Sequence, residues 1–402
     1  MPTENPSTTA PLPPAAPPTA TPAARDPWFD NAKMTLVTLV VVGHAWTLLP
    51  ATAVVQHLYD FLYAWHVPAF VLVTGYLSQR FTYTRVRIWQ LVRTVAVPYL
   101  VFECALALFR VYVGGEELAD LFRDPHWPMW YLAALFLWRL MTPVFRPLPA
   151  GLVVAVAISL IAGMYAGDTL DIARVLGLLP FFVMGLKATP ERLELLRRTR
   201  VQMAAVAVFV AIWVLTTWTD VWASTEWLYY RSRYDEMGHA DDLHALLTRA
   251  LVLTIGTLGA LAFLALVPRL GGWFTRMGAW TLVVYLFHGF AVKGASYAGY
   301  GTWADAHAVI SFGVTTVAAV ALALLLAWRP VASRLSHVVD PLGYAERHVR
   351  HAVDLAVVKD QVQPEVQAEV EALTEPTTGP TTGPTTGPAT RRMVESGGAR
   401  RS

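Results

Sequence analysis

Two side chains that could do chemistry stand on one apolar stretch near the start of the chain. Lys33 and His44 lie within WFDNAKMTLVTLVVVGHAW, residues 28–46. On an α-helix their spacing puts both on one face, about 16 Å apart along the axis. Asp30 precedes Lys33 by one turn, so its carboxylate can pair with the ammonium. His44 could take a proton from a hydroxyl, or it could merely bond a neighbouring helix while Lys33 reaches a membrane surface, and the spacing leaves both interpretations open.

Two further places put polar side chains inside apolar stretches. His66 and Pro68 interrupt the stretch 61–80. Because a prolyl ring frees backbone carbonyls, such a break is tolerated where the backbone lines a cavity or is covered by protein. Tyr285 and His288 are one helical turn apart and could form a hydrogen-bonded pair. The structural alternatives are a simple kink with a locally satisfied His66, and a packing pair between helices.

These residues belong to a chain that is too apolar to fold in water. Of its 402 residues, 55% are hydrophobic and only 15% are charged, whereas a soluble domain has about 25% charged residues. A spanning helix needs about 20 mostly apolar residues. Ten such runs are present, at 33–49, 58–78, 91–113, 129–145, 150–167, 172–188, 202–219, 247–267, 279–297 and 306–328. We therefore predict an all-α, polytopic integral membrane protein with about ten transmembrane helices in one bundle.

The distribution of basic residues predicts the orientation of this bundle. Lysine and arginine concentrate in alternate loops, such as 80–93 and 187–200, and loops rich in these residues stay in the cytoplasm. With an even number of spans, both chain ends are then cytoplasmic, in a multi-pass protein of the cell membrane. The outer loop at about 220–246 mixes acidic and aromatic side chains. It could bind a sugar, although we favour an ordinary solvent-exposed loop.

The two ends of the chain differ in composition from the apolar region between them. Residues 1–24 are rich in proline and lack the basic start and apolar core of a signal peptide, so we predict a disordered tail. Residues 346–402 are polar and contain TTGP three times, which predicts a second disordered tail. The transmembrane domain is predicted at 25–345.

Several classes of protein are excluded by composition and by missing motifs. A net charge of +2 gives no reason to expect a nucleic-acid partner, and a single cysteine excludes a disulfide framework or a cysteine metal cluster. The chain contains no P-loop, no Rossmann glycine fingerprint, no HExxH zinc motif and no GxSxG nucleophile elbow. We therefore expect no metal site.

The order and spacing of the polar motifs resemble those of the membrane-bound acyltransferase 3 family, and within it the branch similar to fucose 4-O-acetylases. The family opens with a basic residue, usually arginine, followed by ten residues and a histidine, which Lys33 and His44 match. The segment AWHVPAFVLVTGYL matches its next pattern, with His66, Pro68, Phe70, Thr74, Gly75 and Tyr76. Later motifs are similar at MWYL (129–132), PFFVMGL with Gly185, and YLFH with Tyr285 and His288. The resemblance covers about residues 25–340.

This resemblance implies a membrane-bound O-acyltransferase. The donor would be a cytoplasmic acyl-CoA, acetyl-CoA in the simplest case, with no permanently bound cofactor. The acceptor would be a hydroxyl of a sugar, polysaccharide, lipid or secondary metabolite in the cell envelope. The donor's phosphates would meet Lys33, held by Asp30, with Arg80 and Arg85 as further contacts. Lysine in place of arginine offers these phosphates only a point charge.

The resemblance also assigns roles to the buried histidines. His44 would act as general base on the acceptor hydroxyl or, as the less favoured route, would take the acyl group itself. His66, Tyr285 and His288 would orient this base or line the tunnel in which the acyl group travels.

Two other classes of function compete with acyl transfer. Ten helices, a broken second span and buried histidines also suit a proton-coupled transporter or flippase. Such carriers often show an internal repeat, which the sequence lacks, and bury acidic residues in mid-span, for which Glu103 is the main candidate. A non-catalytic membrane scaffold is disfavoured, because the polar residues within the spans would cost stability without any gain.

Overall fold

The chain folds into helices joined by short turns. The computed structural model describes residues 26–118, 122–167, 169–238, 242–344 and 346, and these residues form no strand. The helices belong to the first of two units, residues 1–344. The predicted all-α class is thus confirmed for the described residues. The tails predicted at 1–24 and 346–402 lie outside them, apart from residue 346.

Nineteen α-helices are present in the described residues, together with one π-helical and one 3₁₀ segment. The first half of the chain forms α1 (Pro27–Trp46), α2 (Ala53–Tyr63), α3 (His66–Ser78), α4 (Arg85–Leu91), a π-helical turn (Val92–Ala96), α5 (Val97–Tyr112), α6 (Trp130–Phe145), α7 (Gly151–Tyr165), a 3₁₀ turn (Thr169–Asp171), α8 (Ile172–Gly177) and α9 (Leu179–Lys187). The second half forms α10 (Pro190–Leu195), α11 (Thr199–Thr216), α12 (Thr219–Trp222), α13 (Thr225–Tyr229), α14 (Asp242–Leu266), α15 (Trp273–Met277), α16 (Thr281–Tyr297), α17 (Tyr300–Ala306), α18 (Ala308–Ala327) and α19 (Arg329–Val339).

Five continuous helical segments are long and apolar enough to cross a membrane. They are Ala53–Ser78, Arg85–Tyr112, Thr199–Thr216, Leu243–Leu266 and Ala308–Ala327. The pair α8 and α9 would make a sixth as one span bent by 53°. The helices α6 and α7 are apolar but shorter. Each of the ten predicted apolar runs falls on a helix, yet helix length and composition qualify only five or six of them as spans.

The helix α1 begins with a well-formed cap. The Asp26 side chain accepts a hydrogen bond from the Trp28 backbone N–H at 2.9 Å, and Pro27 occupies the first helical position, where no N–H is needed. The helix continues without a break to Trp46, so Lys33 and His44 do share one helix. Since α1 contacts α2, α3, α15, α16 and α18, it is enclosed by other helices along most of its length.

The second predicted span is broken before its proline. Residues 64–65 form a turn between α2 and α3, and Pro68 stands in the first turn of α3, where the missing N–H costs little. The Nδ1 atom of His66 lies 2.7 Å from the Leu62 carbonyl, across the break. This hydrogen bond satisfies His66 locally, as the kink interpretation expects.

Two glycines allow α3 and α9 to touch along their backbones. A Cβ atom on Gly75 would overlap the carbonyl of Phe182, and one on Gly185 would overlap the carbonyl of Leu72. Small residues at a helix crossing permit such close approach inside a membrane. This contact fixes α3, whose other face lines one of the cavities described next.

Candidate functional site

Two of the buried histidines form a hydrogen-bonded pair between helices. His44 comes from the last turn of α1 and His288 from the middle of α16, and the distance from His44 Nδ1 to His288 Nε2 is 2.8 Å. The Nδ1 atom of His288 lies 2.6 Å from the Tyr285 carbonyl and 3.2 Å from the Val284 carbonyl.

These partners fix which nitrogen carries each proton. A carbonyl only accepts, so His288 Nδ1 must carry a proton and donate it to the Tyr285 carbonyl. In a neutral His288, the Nε2 atom then accepts a hydrogen bond from His44 Nδ1–H. The Nε2 atom of His44 is left with a free lone pair, as a general base requires.

His44 opens on a cavity of about 390 Å³, which we call the His44 cavity. Its walls combine rings and charged groups from Tyr59, Tyr63, Trp127, Trp130, Arg174, Glu226, Tyr229 and Arg231. The Trp127 ring packs on the imidazole of His44, with 4.3 Å between ring centroids. Only 7% of His44 is exposed, so its imidazole is shielded from bulk solvent but faces the cavity.

Next to it lies a polar cavity of about 310 Å³, which shares Trp127, Arg174 and Arg231 with the His44 cavity. Its charged groups include two ion pairs. Arg174 lies 3.2 Å from the carboxylate of Asp171, and Arg231 lies 2.9 Å from that of Asp124. Paired charges beside aromatic rings provide both hydrogen bonds and stacking surfaces without favouring an ion of either sign.

Lys33 lines a different cavity of about 300 Å³, which we call the Lys33 cavity. The ammonium of Lys33 lies 2.8 Å from the Asp30 carboxylate, so the ion pair expected from their spacing is present. The walls are mostly apolar, with contributions from Phe70, Val73, Leu77, Val95, Leu132 and Leu135. Thr94 and Val95, from the π-helical turn between α4 and α5, also reach this cavity.

Two tyrosines of the Lys33 cavity lie close to the histidine pair, and the Tyr285 ring is 5.9 Å from that of His288. Tyr131 and Tyr285 both line this cavity, and the hydroxyls of Tyr131 and Thr74 are 2.5 Å apart. The Tyr285 hydroxyl donates to the Pro128 carbonyl rather than to His288. The side-chain pair expected between Tyr285 and His288 is therefore not formed, because the tyrosine hydroxyl reaches across to the turn before α6.

Three residues predicted for the site line neither of the two cavities, although the His66 ring packs on Tyr63 of the His44 cavity with 4.6 Å between ring centroids. His66 is buried but bonds Leu62 within its own span, and it lines neither the Lys33 cavity nor the His44 cavity. Arg80 and Arg85 are exposed, just after α3 and at the start of α4, and neither lines the Lys33 cavity. The structure instead groups Asp30, Lys33 and Tyr285 around one cavity, and His44 with His288 at the other.

Arg139, which reaches the Lys33 cavity from α6, was not among the site residues predicted from the sequence. A signal was available, because Arg139 stands inside the predicted apolar run 129–145, and an ionisable residue there is a functional hypothesis by default.

The role of Glu103 was also missed. Its fully buried carboxylate accepts hydrogen bonds from the backbone N–H of His126 at 2.9 Å and from His126 Nδ1 at 2.6 Å. The carboxylate thereby anchors the turn that carries Trp127, which packs on His44, and Pro128, which accepts from Tyr285. No sequence pattern indicated this contact between α5 and the turn.

The loop that was interpreted as an ordinary solvent-exposed segment forms part of the site. Within the outer loop at about 220–246, Glu226, Tyr229 and Arg231 line the His44 cavity. The loop is held by Arg249 of α14, whose guanidinium faces the rings of Trp227, Tyr230 and Tyr234 at 4.8–5.6 Å. In the described part of the chain, no three His, Cys, Asp or Glu side chains are placed to hold a metal ion.

The apolar spanning helices, enclosing cavities with buried ionisable groups, define a polytopic membrane protein. The chain matches the model of the acyltransferase 3 family, described as an acyltransferase domain, over residues 26–328, and it belongs to that family. This match runs from the cap of α1 to the end of α18 and confirms the family resemblance seen in the sequence. Searches of curated proteins and of solved structures find no match to the chain. The family indicates an acyltransferase-type function.

Proposed function

We propose that the protein is a membrane-bound O-acyltransferase that moves an acyl group from acyl-CoA to a hydroxyl of a carbohydrate acceptor. One observation gives this proposal its main support. The hydrogen bond that His44 Nδ1–H donates to His288 Nε2 leaves the lone pair of His44 Nε2 free, and His44 lines a cavity large enough for a sugar unit. The simplest donor is acetyl-CoA, and other hydroxyl-bearing acceptors, such as lipids, are tested by the same experiment.

In the proposed reaction His44 acts as general base. The acceptor hydroxyl donates its proton to His44 Nε2 as its oxygen attacks the thioester carbonyl. The new O–C bond forms, the C–S bond breaks, and His44 returns the proton to the leaving sulfur. His288, fixed by the Tyr285 carbonyl, keeps the ring of His44 in the required tautomer throughout.

We assign the Lys33 cavity to the donor. Lys33 and His44 are separated by about 16 Å of helix rise, which is of the order of an extended pantetheine arm. The apolar walls suit this arm and a short acyl chain. Tyr131 and Tyr285 line the cavity, and the Tyr285 ring lies 5.9 Å from the ring of His288, so we expect the thioester to pass these two tyrosines on its way to the base. Arg80 and Arg85 are exposed and would contact only the part of the nucleotide that remains outside the cavity.

We assign the His44 cavity and the adjoining polar cavity to the acceptor. Aromatic rings stack on the apolar faces of sugars, and paired carboxylates and guanidinium groups offer hydrogen bonds to hydroxyls. The balance of charge in the polar cavity favours a neutral polyhydroxyl compound over a strongly charged one.

We further propose ten spans with both chain ends in the cytoplasm of a cell-membrane protein. The basic loops support this orientation, and the short or charge-bearing helices α1, α6, α7 and α16 would complete the count. In this orientation the Lys33 cavity lies on the cytoplasmic side, where acyl-CoA is available. His44 lies toward the opposite side, so the reaction would join a cytoplasmic donor to an acceptor beyond the membrane midplane.

The function is tested by deleting the gene in its host and restoring it on a plasmid. Mass spectrometry of envelope and secreted products should show the loss of one acyl mass on deletion and its return on restoration. A transporter or flippase would change the location or amount of a product without changing its mass. Identical masses in both strains would therefore contradict acyl transfer.

A further inference from the structure

We infer that Arg139 is the anion-binding residue of the Lys33 cavity and that it binds the diphosphate of the acyl-CoA donor. This inference rests on the proposed donor, but it assigns the phosphate contact to a residue other than the lysine of the family pattern. Three observations lead to it. Lys33 forms an ion pair with Asp30, Arg139 has no hydrogen-bond or ion-pair partner among the described residues, and the cavity walls are mostly apolar.

Lys33 is already committed to another partner. Its ammonium lies 2.8 Å from the Asp30 carboxylate, with only 24% and 10% of the two side chains exposed. At this distance the opposite charges of the partly buried pair largely cancel, so a ligand in the cavity meets little net charge from it. Lys33 therefore adds little net positive charge to the cavity while Asp30 remains ionised.

Arg139 carries a charge that no other described residue neutralises. Its side chain lines the cavity beside Lys33, and it forms no hydrogen bond or ion pair within the described part of the chain. Elsewhere, Arg174 has the carboxylate of Asp171 and Arg249 has three aromatic rings. A partly buried guanidinium without such a partner is costly among apolar walls, so its position is best explained by an anionic ligand.

The geometry of a guanidinium suits a phosphate better than that of an ammonium. Its planar fork can donate two parallel hydrogen bonds to one phosphate, whereas lysine acts as a point charge. The cavity thus presents a phosphate-binding group together with mostly apolar walls, which fits a ligand with one anionic and one apolar part. The donor meets this description, and so does a membrane phospholipid, whose phosphate has the same chemistry.

The experiment measures binding by the full-length protein, purified in detergent, with CoA, dephospho-CoA and pantetheine as probes. Arg139→Gln should weaken the binding of both CoA and dephospho-CoA by about 10- to 100-fold, the range expected on losing charge-assisted hydrogen bonds. Pantetheine, which lacks the diphosphate, should bind the variant and the unsubstituted protein equally.

Two further variants serve as controls. One separates the charge of Arg139 from its guanidinium geometry, and the other tests the loss of a different arginine at the end of the same helix. Arg139→Lys keeps the charge but loses the fork, so it should bind CoA more tightly than Arg139→Gln and less tightly than the original. Arg146→Gln removes an exposed arginine just beyond the end of the same helix and should leave CoA binding unchanged.

Each alternative outcome overturns a defined part of the account. Equal CoA binding by Arg139→Gln and the unsubstituted protein would overturn the inference alone. If CoA binding were equal but a phospholipid that co-purifies with the unsubstituted protein were lost from Arg139→Gln, Arg139 would instead be shown to bind the phosphate of a lipid. An effect on CoA but not on dephospho-CoA would overturn the assignment to the diphosphate. If the unsubstituted protein bound no CoA, the proposed donor would fail, and the inference with it.

Discussion

The Lys33 cavity and the His44 cavity are similar in size, about 300 and about 390 Å³, but their walls differ. The first is mostly apolar and contains an arginine that has no hydrogen-bond or ion-pair partner among the described residues, whereas the second is built from aromatic rings and paired charges. They are joined through one helix, α16, on which Tyr285 lines the first cavity and His288 bonds His44 of the second. This difference is what two unlike substrates, an amphipathic anion and a polyhydroxyl compound, would require.

The difference between the two cavities predicts that a substitution in one cavity does not alter ligand binding in the other. Among substitutions other than that of His44 itself, the largest expected effect is that of His288→Ala, which removes the acceptor for His44 Nδ1–H and frees the ring to change tautomer. Acylated product should fall by about 100-fold or more, the scale of general-base catalysis. CoA binding to the purified variant should be unchanged. A variant that transferred normally, or that lost CoA binding as well, would contradict the division between the cavities.

Glu103 anchors the turn that carries Trp127, which lines the His44 cavity, and Pro128, which accepts a hydrogen bond from Tyr285 of the Lys33 cavity. Its replacement therefore tests how the two cavities are connected. Glu103→Gln leaves one carbonyl oxygen for the two N–H donors of His126, and it should lower the free energy of unfolding by about 1–3 kcal/mol. Thermal unfolding in detergent measures this loss of stability. The control is Glu236→Gln, which changes an exposed carboxylate in the same way. An unaltered melting temperature for Glu103→Gln would show that the turn is held by other contacts.

A smaller effect is expected from freeing the lysine of the Lys33 cavity. Asp30→Asn removes the carboxylate that neutralises Lys33, so the cavity gains positive charge. CoA binding should tighten by about 2- to 5-fold, the worth of a modest ion pair. Weaker binding would indicate that Asp30 holds Lys33 in a position that the ligand requires.

The smallest effect concerns the ion pairs beside the polar cavity, where Arg110 and Lys293 contact Glu116. Partial burial raises the pKa of Glu116, but the Tyr297 hydroxyl and the two cations outweigh it and lower the pKa to about 2. Since the folded pKa is below the ordinary value of 4.5, the stabilisation is present above pH 4.5 and is lost as pH falls toward 2.

The melting temperature should therefore drop more between pH 5 and pH 3 in the unsubstituted protein than in Glu116→Gln. Parallel pH profiles would show that this carboxylate is not linked to folding.

The features that could be predicted from the sequence are those that depend on the local spacing of residues along a helix. The spacing of Asp30, Lys33 and His44 on one helix and the break before Pro68 follow from helix geometry and proline chemistry, and both are present. The number of spans did not follow as simply, because α6 and α7 are shorter than the usual spanning length. Apolar runs indicate helices more reliably than they indicate complete crossings.

The long-range contacts of the site could not be predicted in this way. The bond between His44 and His288 joins residues far apart in the chain, and the partner of Tyr285 proved to be the Pro128 carbonyl. Arg80 and Arg85 were proposed as phosphate contacts on the basic inner surface; neither lines the Lys33 cavity, whereas Arg139 of α6 does. Pairing across helices depends on which faces pack together, which a single sequence does not specify.

The central claim is that His44 is the general base, and one measurement tests it most directly. The host strain lacking the gene is supplied with the His44→Ala variant, and its products are compared by mass spectrometry with those of a strain carrying His57→Ala. His57 is a histidine of α2 that bonds the Trp213 carbonyl and lines neither the His44 cavity nor the Lys33 cavity. With both variants present in the membrane in equal amount, we expect the acyl mass to be absent with His44→Ala and present with His57→Ala. Full acylation by His44→Ala would contradict the account.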